Sequence, residues 1–165
     1  MTHFTITPLT PADEPLLAEM MYQAIFVPEG ADAPPRVIVD EPGLRKYFAA
    51  FGTQAGDLGY KAVDSQNGQA VGAAWLRLLQ GDNQGYGYVD DETPELSIAL
   101  DPAYRGQGVG TQLLDQLFAA ASAHYRAIAL SVWPENPAYR LYQRLGFSVV
   151  KQLADDPAVT MIKYF

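Results

Sequence analysis

Residues 95–132 constrain the fold of this chain more than any other stretch. Glu95-Leu96-Ser97-Ile98-Ala99-Leu100 is an apolar run of strand length stopped by Asp101-Pro102. Val109, Leu113, Leu114, Leu117, Phe118 and Ala121 then recur at helical spacing, and 127–132 is a second apolar run. A strand, an amphipathic helix and a strand in such quick succession predict a βαβ crossover. Its two strands run parallel in one sheet, and its helix covers one face.

The remaining segments fit around that unit. Residues 2–7 alternate and end at Pro8, predicting a first strand. Thr10 suits a helix N-cap, Pro11 a first helical position, and Leu16, Leu17, Met20, Met21, Ala24 and Ile25 form one apolar stripe. Pro and Gly crowd residues 27–42, predicting a long irregular loop, and Leu44, Tyr47, Phe48 and Phe51 predict a short second helix. Strands at 60–63 and 69–79 flank Asn67-Gly68, a hairpin signal. After the crossover come a short helix at 138–145 closed by Gly146, and strands at 147–153 and 159–164. The order gives a mixed α/β chain, and 165 residues suit one domain with a sizeable core.

Composition narrows the function classes. A formal charge of -8 argues against a nucleic-acid binder, which needs a basic face to neutralise phosphate. The charge is uneven: residues 1–101 hold five Lys/Arg against fifteen Asp/Glu, whereas 102–147 hold four against two. A positive segment on an acidic protein suits an anionic ligand, while on charge alone an acidic surface that keeps the protein soluble is the plainer reading. No membrane span is expected, and the first ten residues lack the basic and apolar regions of a targeting signal, so a cytoplasmic location is the expectation. The chain has no cysteine, which excludes disulfides and thiolate chemistry, and no spacing of His, Asp and Glu suggests a metal site.

The positive segment contains Arg105-Gly106-Gln107-Gly108-Val109-Gly110-Thr111, between a strand end and a helix start. Free N–H groups of a first helical turn and the helix dipole attract an anion there, and glycines let phosphate oxygens approach the backbone. No Lys follows the glycines, so a nucleotide-hydrolysing phosphate loop is disfavoured, and Thr111 stands where a dinucleotide fingerprint requires Gly or Ala. A loop rich in Gly only for turning is the remaining alternative.

A second motif follows about thirty residues on. Arg105-x-x-Gly108-x-Gly110, preceded by 96–102, resembles the acetyl-CoA loop of the GNAT N-acetyltransferase superfamily, and Asn136-Pro137-Ala138-Tyr139-Arg140-Leu141-Tyr142 through Gly146-Phe147 resembles that superfamily's second signature. Asn136 lies one residue closer to Tyr142 than in the commonest version. The resemblance is specific over 95–150 and looser before it. It implies a single GNAT-like domain over 1–165, with an acceptor-side half (1–94) and an acetyl-CoA-binding core (95–150), built on a mixed sheet of six to seven strands with about four helices.

The resemblance further implies transfer of acetyl from acetyl-CoA to an amine of a small molecule, peptide or protein, by direct attack in a ternary complex and without a metal. Pyrophosphate would lie on Arg105, Gly106, Gln107, Gly108, Val109, Gly110 and Thr111, and pantetheine along Ile98, Ala99 and Leu100, with Asn136 a further contact. Tyr142 takes the place of the acid that protonates the leaving sulfur, and Glu95 that of the base. Asp32, Asp40, Glu41, Tyr22, Tyr47, Trp75 and the 80–93 loop are candidate walls for a cationic acceptor. A CoA-binding sensor or interaction module without turnover is the alternative function. Exposed sheet edges are compatible with a homodimer.

Overall fold

Residues 70–77 are buried over almost their whole length, and this segment is the spine of the sheet. In the computed structural model, which describes residues 3–165, β1 (Phe4–Pro8), β2 (Leu58–Asp64), β3 (Ala70–Arg77), β4 (Glu95–Leu100), β5 (Ala127–Val132), β6 (Ser148–Gln152) and β7 (Val159–Tyr164) form one seven-stranded sheet. Its order is β1-β2-β3-β4-β5-β7-β6. The start of the first strand expected at Thr2 lies outside the described residues. Successive side chains of β3 enter opposite layers. Ala73 and Trp75 meet Leu17 and Met20 of α1 (Glu14–Ala24) together with Phe48 and Phe51. Ala74 and Leu76 meet Leu113, Leu114 and Leu117 of α3 (Val109–Ala121). Those three leucines are wholly buried, each contributing about 1.5–3 kcal/mol of transfer free energy.

The crossover forms as the sequence predicts, and it positions the site. β4 and β5 are parallel, but their register holds at one pair only, Glu95 opposite Ala129, with the Ala129 N–H on the Pro94 carbonyl at 2.9 Å. Beyond that pair β4 stays with β3 as far as Leu100 opposite Gly72, while β5 follows β7 as far as Val132 opposite Val159. A V-shaped gap opens between them. The Asp101 N–H donates to Val71 O at 2.8 Å, so the alternation of an antiparallel ladder turns the N–H and C=O of Ile98 and Leu100 away from β3 and into the gap.

Three local expectations are adjusted. The second helix is short: α2 covers Pro42–Arg45, and the chain then runs through turns, with Ala50 at φ 53° and Gly52 at φ 92°. Arg77 explains the interruption. Its buried guanidinium donates to the Lys46 and Ala49 carbonyls at 3.1 and 2.7 Å and pairs with Asp57, drawing this segment onto β3. The irregular stretch after α1 contains a 3₁₀ turn, Arg36–Asp40. In the β2–β3 hairpin, where Asn67-Gly68 suggests positive φ angles for the reversal, only Gly68, at φ 72°, takes a left-handed conformation. The last helix, α4 (Ala138–Arg144), ends before Gly146 at φ 97° as expected.

Candidate active site

Two clefts adjoin in the gap between β4 and β5. The inner has a volume of about 310 Å³ and reaches Glu95, Ser97, Leu130 and Ser131 at the closed end of the V. The outer, of about 690 Å³, runs along Ile98, Ala99 and Leu100 to Arg105 and Gly110. Ala24, Ile25, Phe26, Ile98, Asn136 and Tyr142 border both, so one ligand can pass from one to the other.

The outer end is the glycine loop. Gly106 and Gly108 have φ of 75° and 81°, in the left-handed region that a side chain would strain. Gly108 is the N-cap of α3, and the first N–H after it to find an acceptor is that of Gln112, on the Gly108 carbonyl at 3.2 Å. Among the described residues no protein acceptor meets the N–H groups from Gly106 to Thr111. These donors, at the positive end of a thirteen-residue helix, form an anion site. Arg105 is exposed beside them and reaches the Gln23 carbonyl at 3.5 Å. The Val109 side chain is core, which leaves only its main chain to a ligand.

At the inner end stands a buried carboxylate. Glu95 is 3% exposed; its Oε1 accepts from the Tyr47 hydroxyl at 2.8 Å and the Gly87 N–H at 2.7 Å, while its Oε2 has no hydrogen-bond partner among the described residues. Burial pushes the carboxyl above its ordinary value, and the Tyr47 and Gly87 hydrogen bonds oppose the shift without cancelling it. Tyr47 is fixed in turn: its hydroxyl accepts from the Tyr86 N–H at 2.7 Å and its carbonyl from the Trp75 indole at 2.9 Å. Burial first, and the neighbouring Glu95 charge second, raise the Tyr47 phenol, which therefore stays a donor.

Glycines let the 80–93 loop close over this carboxylate. A Cβ at Gly85 would stand 2.1 Å from Glu95 Oε2, and one at Gly87 would stand 2.7 Å from the Leu130 carbonyl carbon.

Tyr142 comes from α4, where it packs edge-on against Phe147 at 5.6 Å between ring centroids. It borders both clefts, and burial pushes its phenol up to about 12, so it holds its proton at neutral pH. Asn136 borders both clefts as well. Its Oδ1 accepts from the Ala138 N–H at 3.0 Å, so this side chain shapes the start of α4.

The expected residues are therefore gathered unequally. Glu95, Ile98, Asn136 and Tyr142 meet at the inner cleft, and Ala99, Leu100, Arg105 and Gly110 continue the outer one. Gly106, Gln107, Gly108 and Thr111 lie exposed at the loop, beyond the cleft walls. Of the candidate acceptor walls, Tyr47 and Tyr86 line the inner cleft and Tyr22 the outer; Asp32, Asp40 and Glu41 line neither, and Trp75 is core. The inner cleft also takes Phe26 and Trp133, packed edge-on at 5.6 Å, which the sequence reading did not single out. Gly85-Tyr86-Gly87 was the available signal on this side, since an aromatic residue between two glycines marks close backbone approach.

A parted parallel pair with an anion-binding glycine loop at its open end makes a site for an extended anionic ligand, and comparison with known proteins supplies the family. The chain belongs to the acetyltransferase (GNAT) family, whose model matches residues 24–147. Among solved structures it is similar to an acetyltransferase from Thermus thermophilus (23% identity, TM-score 0.65, covering 98% of this chain and 97% of that one). It is also similar to a GNAT-family acetyltransferase from Streptococcus pneumoniae (18%, 0.65, 98% and 99%). A third is the ribosomal-protein-S18-alanine N-acetyltransferase of Escherichia coli (21%, 0.64, 98% and 94%). At these identities the likeness is one of fold. No curated protein matches the chain.

Proposed function

We propose that this chain is an acetyl-CoA-dependent N-acetyltransferase acting on an amine by direct attack. The observation that carries the reading is the shared wall: a single gap joins the free N–H groups of the glycine loop to a protonated phenol and a buried carboxylate. The thioester of acetyl-CoA supplies an activated acetyl carbonyl. The N–H groups of 106–111, with Arg105, receive the pyrophosphate, and the outward-turned main chain of Ile98 and Leu100 aligns the pantetheine arm. The Leu100 N–H meets the charge that develops on the carbonyl oxygen.

As the amine nitrogen bonds to the acetyl carbon, the carbon–sulfur bond breaks, and Tyr142 gives its phenolic proton to the departing sulfur. Glu95 accepts the proton that the nitrogen must lose, directly or through a water. Its raised pKa strengthens it as a base. Tyr47 acts as a positioning residue, because its hydrogen bond fixes one oxygen of Glu95 and leaves the other free to accept. The test is release of free thiol from acetyl-CoA with a panel of primary amines. Amine-dependent release supports the reading, and binding of acetyl-CoA with no amine-dependent release contradicts it.

A further inference from the structure

The inner cleft is built to grip something other than a polycation. Among the described residues Glu95 is the only charged side chain lining it, and that carboxylate is buried with one oxygen already accepting two hydrogen bonds. The acidic side chains of Asp32, Asp40 and Glu41 face solvent elsewhere. A second ammonium in this cleft would be desolvated among Met21, Phe26, Leu44 and Trp133 with no carboxylate to receive it.

Tyr86 adds an independent sign. It is 65% exposed, yet its N–H is held by the Tyr47 hydroxyl and its ring lies parallel to that of Tyr47, 5° apart in plane with centroids 6.3 Å apart. A Cβ on Gly43 would stand 2.9 Å from its hydroxyl oxygen, so the ring spans the cleft mouth from the 80–93 loop to α2. A large aromatic side chain fixed in place and bared to solvent beside an aromatic cleft is a surface awaiting an apolar partner.

We infer that the acceptor is a small primary monoamine with a flat apolar body, which lies against Tyr86, Phe26 and Trp133 while its single amine reaches the end of the cleft at Glu95. The inference rests on the acyl-transfer reading for its chemistry, but its binding half can be measured alone. Affinity comes from burying the apolar body, and selection against diamines comes from the missing second carboxylate.

The test compares 2-phenylethylamine, butylamine and 1,4-diaminobutane. Binding to the full chain in the presence of CoA is read by calorimetry, and transfer by thiol release from acetyl-CoA. 2-Phenylethylamine should bind and react about tenfold or more better than 1,4-diaminobutane, in line with discrimination by an apolar pocket. Tyr86→Ala, an exposed position whose loss leaves the core intact, should erase most of that advantage, read as a fall in the ratio of 2-phenylethylamine to butylamine in both binding and transfer. Binding of 2-phenylethylamine without thiol release would sink the acyl-transfer reading and uphold only the binding half of this one. Equal or better use of 1,4-diaminobutane, or no binding of 2-phenylethylamine, overturns the inference even if thiol release proceeds.

Discussion

The outer cleft is made of backbone and the inner cleft of side chains. Along the outer cleft the groups offered to a ligand are N–H donors of 106–111 and the main chain of Ile98 and Leu100, fixed by a helix start and a strand edge. In the inner cleft Tyr47, Tyr86, Glu95, Trp133 and Tyr142 come from five separate segments. The difference separates what the fold supplies from what this chain adds. The outer cleft follows from the crossover and its glycines, whereas the inner one also needs side chains brought together from distant segments.

Substitutions can break that division, beginning with the largest effect. Tyr142→Phe should lower kcat by about 10²- to 10⁴-fold, the range of a general acid, with little change in the KM for acetyl-CoA. Steady-state kinetics with both substrates varied checks this, and unchanged turnover would remove the phenol from the chemistry.

Glu95→Gln should lower kcat/KM by a factor in the same range, about 10²- to 10⁴-fold, and also stabilise the fold at neutral pH. The sign follows from the direction of its shift. The carboxyl titrates higher folded than unfolded, so the folded state binds more protons; its contribution is intact at acid pH and is lost as pH rises through the folded pKa. Thermal unfolding should therefore show the variant ahead of the parent near neutrality and level with it in acid. Tyr47→Phe removes a hydrogen bond that lowers the Glu95 pKa, so the acidic limb of the kcat/KM profile should move to higher pH.

On the outer side the effects are smaller. Gly108→Ala places a Cβ at φ 81°, costing about 1–2 kcal/mol, and should weaken CoA binding by about five- to thirtyfold, without a comparable change in how the amines rank. Arg105→Ala removes one exposed charge, worth under about 1 kcal/mol, and should raise the KM for acetyl-CoA no more than about fivefold, less at high salt.

The same division explains what the sequence revealed. The crossover was legible because it depends on local backbone geometry, which leaves helical spacing and a strand stop in fixed order, whereas Tyr142 stands out only through the resemblance of 136–147 to a family signature, its spacing alone being that of a core aromatic. Glu95 was legible by its place at the start of β4, but its burial was not. That burial depends on Tyr47, 48 positions earlier, and on Gly87, eight positions earlier, both brought to it by folding. Acidic residues suggested an acidic acceptor pocket, yet Asp32, Asp40 and Glu41 face solvent. Composition counts charges but does not say which way they point. The second helix was overextended because Tyr47, Phe48 and Phe51 keep a helical spacing while Arg77, far along the chain, takes the carbonyls of Lys46 and Ala49.

The most direct test of the shared gap is a crystal structure with CoA bound. It should show pyrophosphate oxygens accepting from the N–H groups of 106–111 and the sulfur within about 3.5 Å of the Tyr142 hydroxyl, the reach of a hydrogen bond to sulfur. A thiol lying outside the space between β4 and β5, or a Tyr142 hydroxyl turned away from it, would contradict the account.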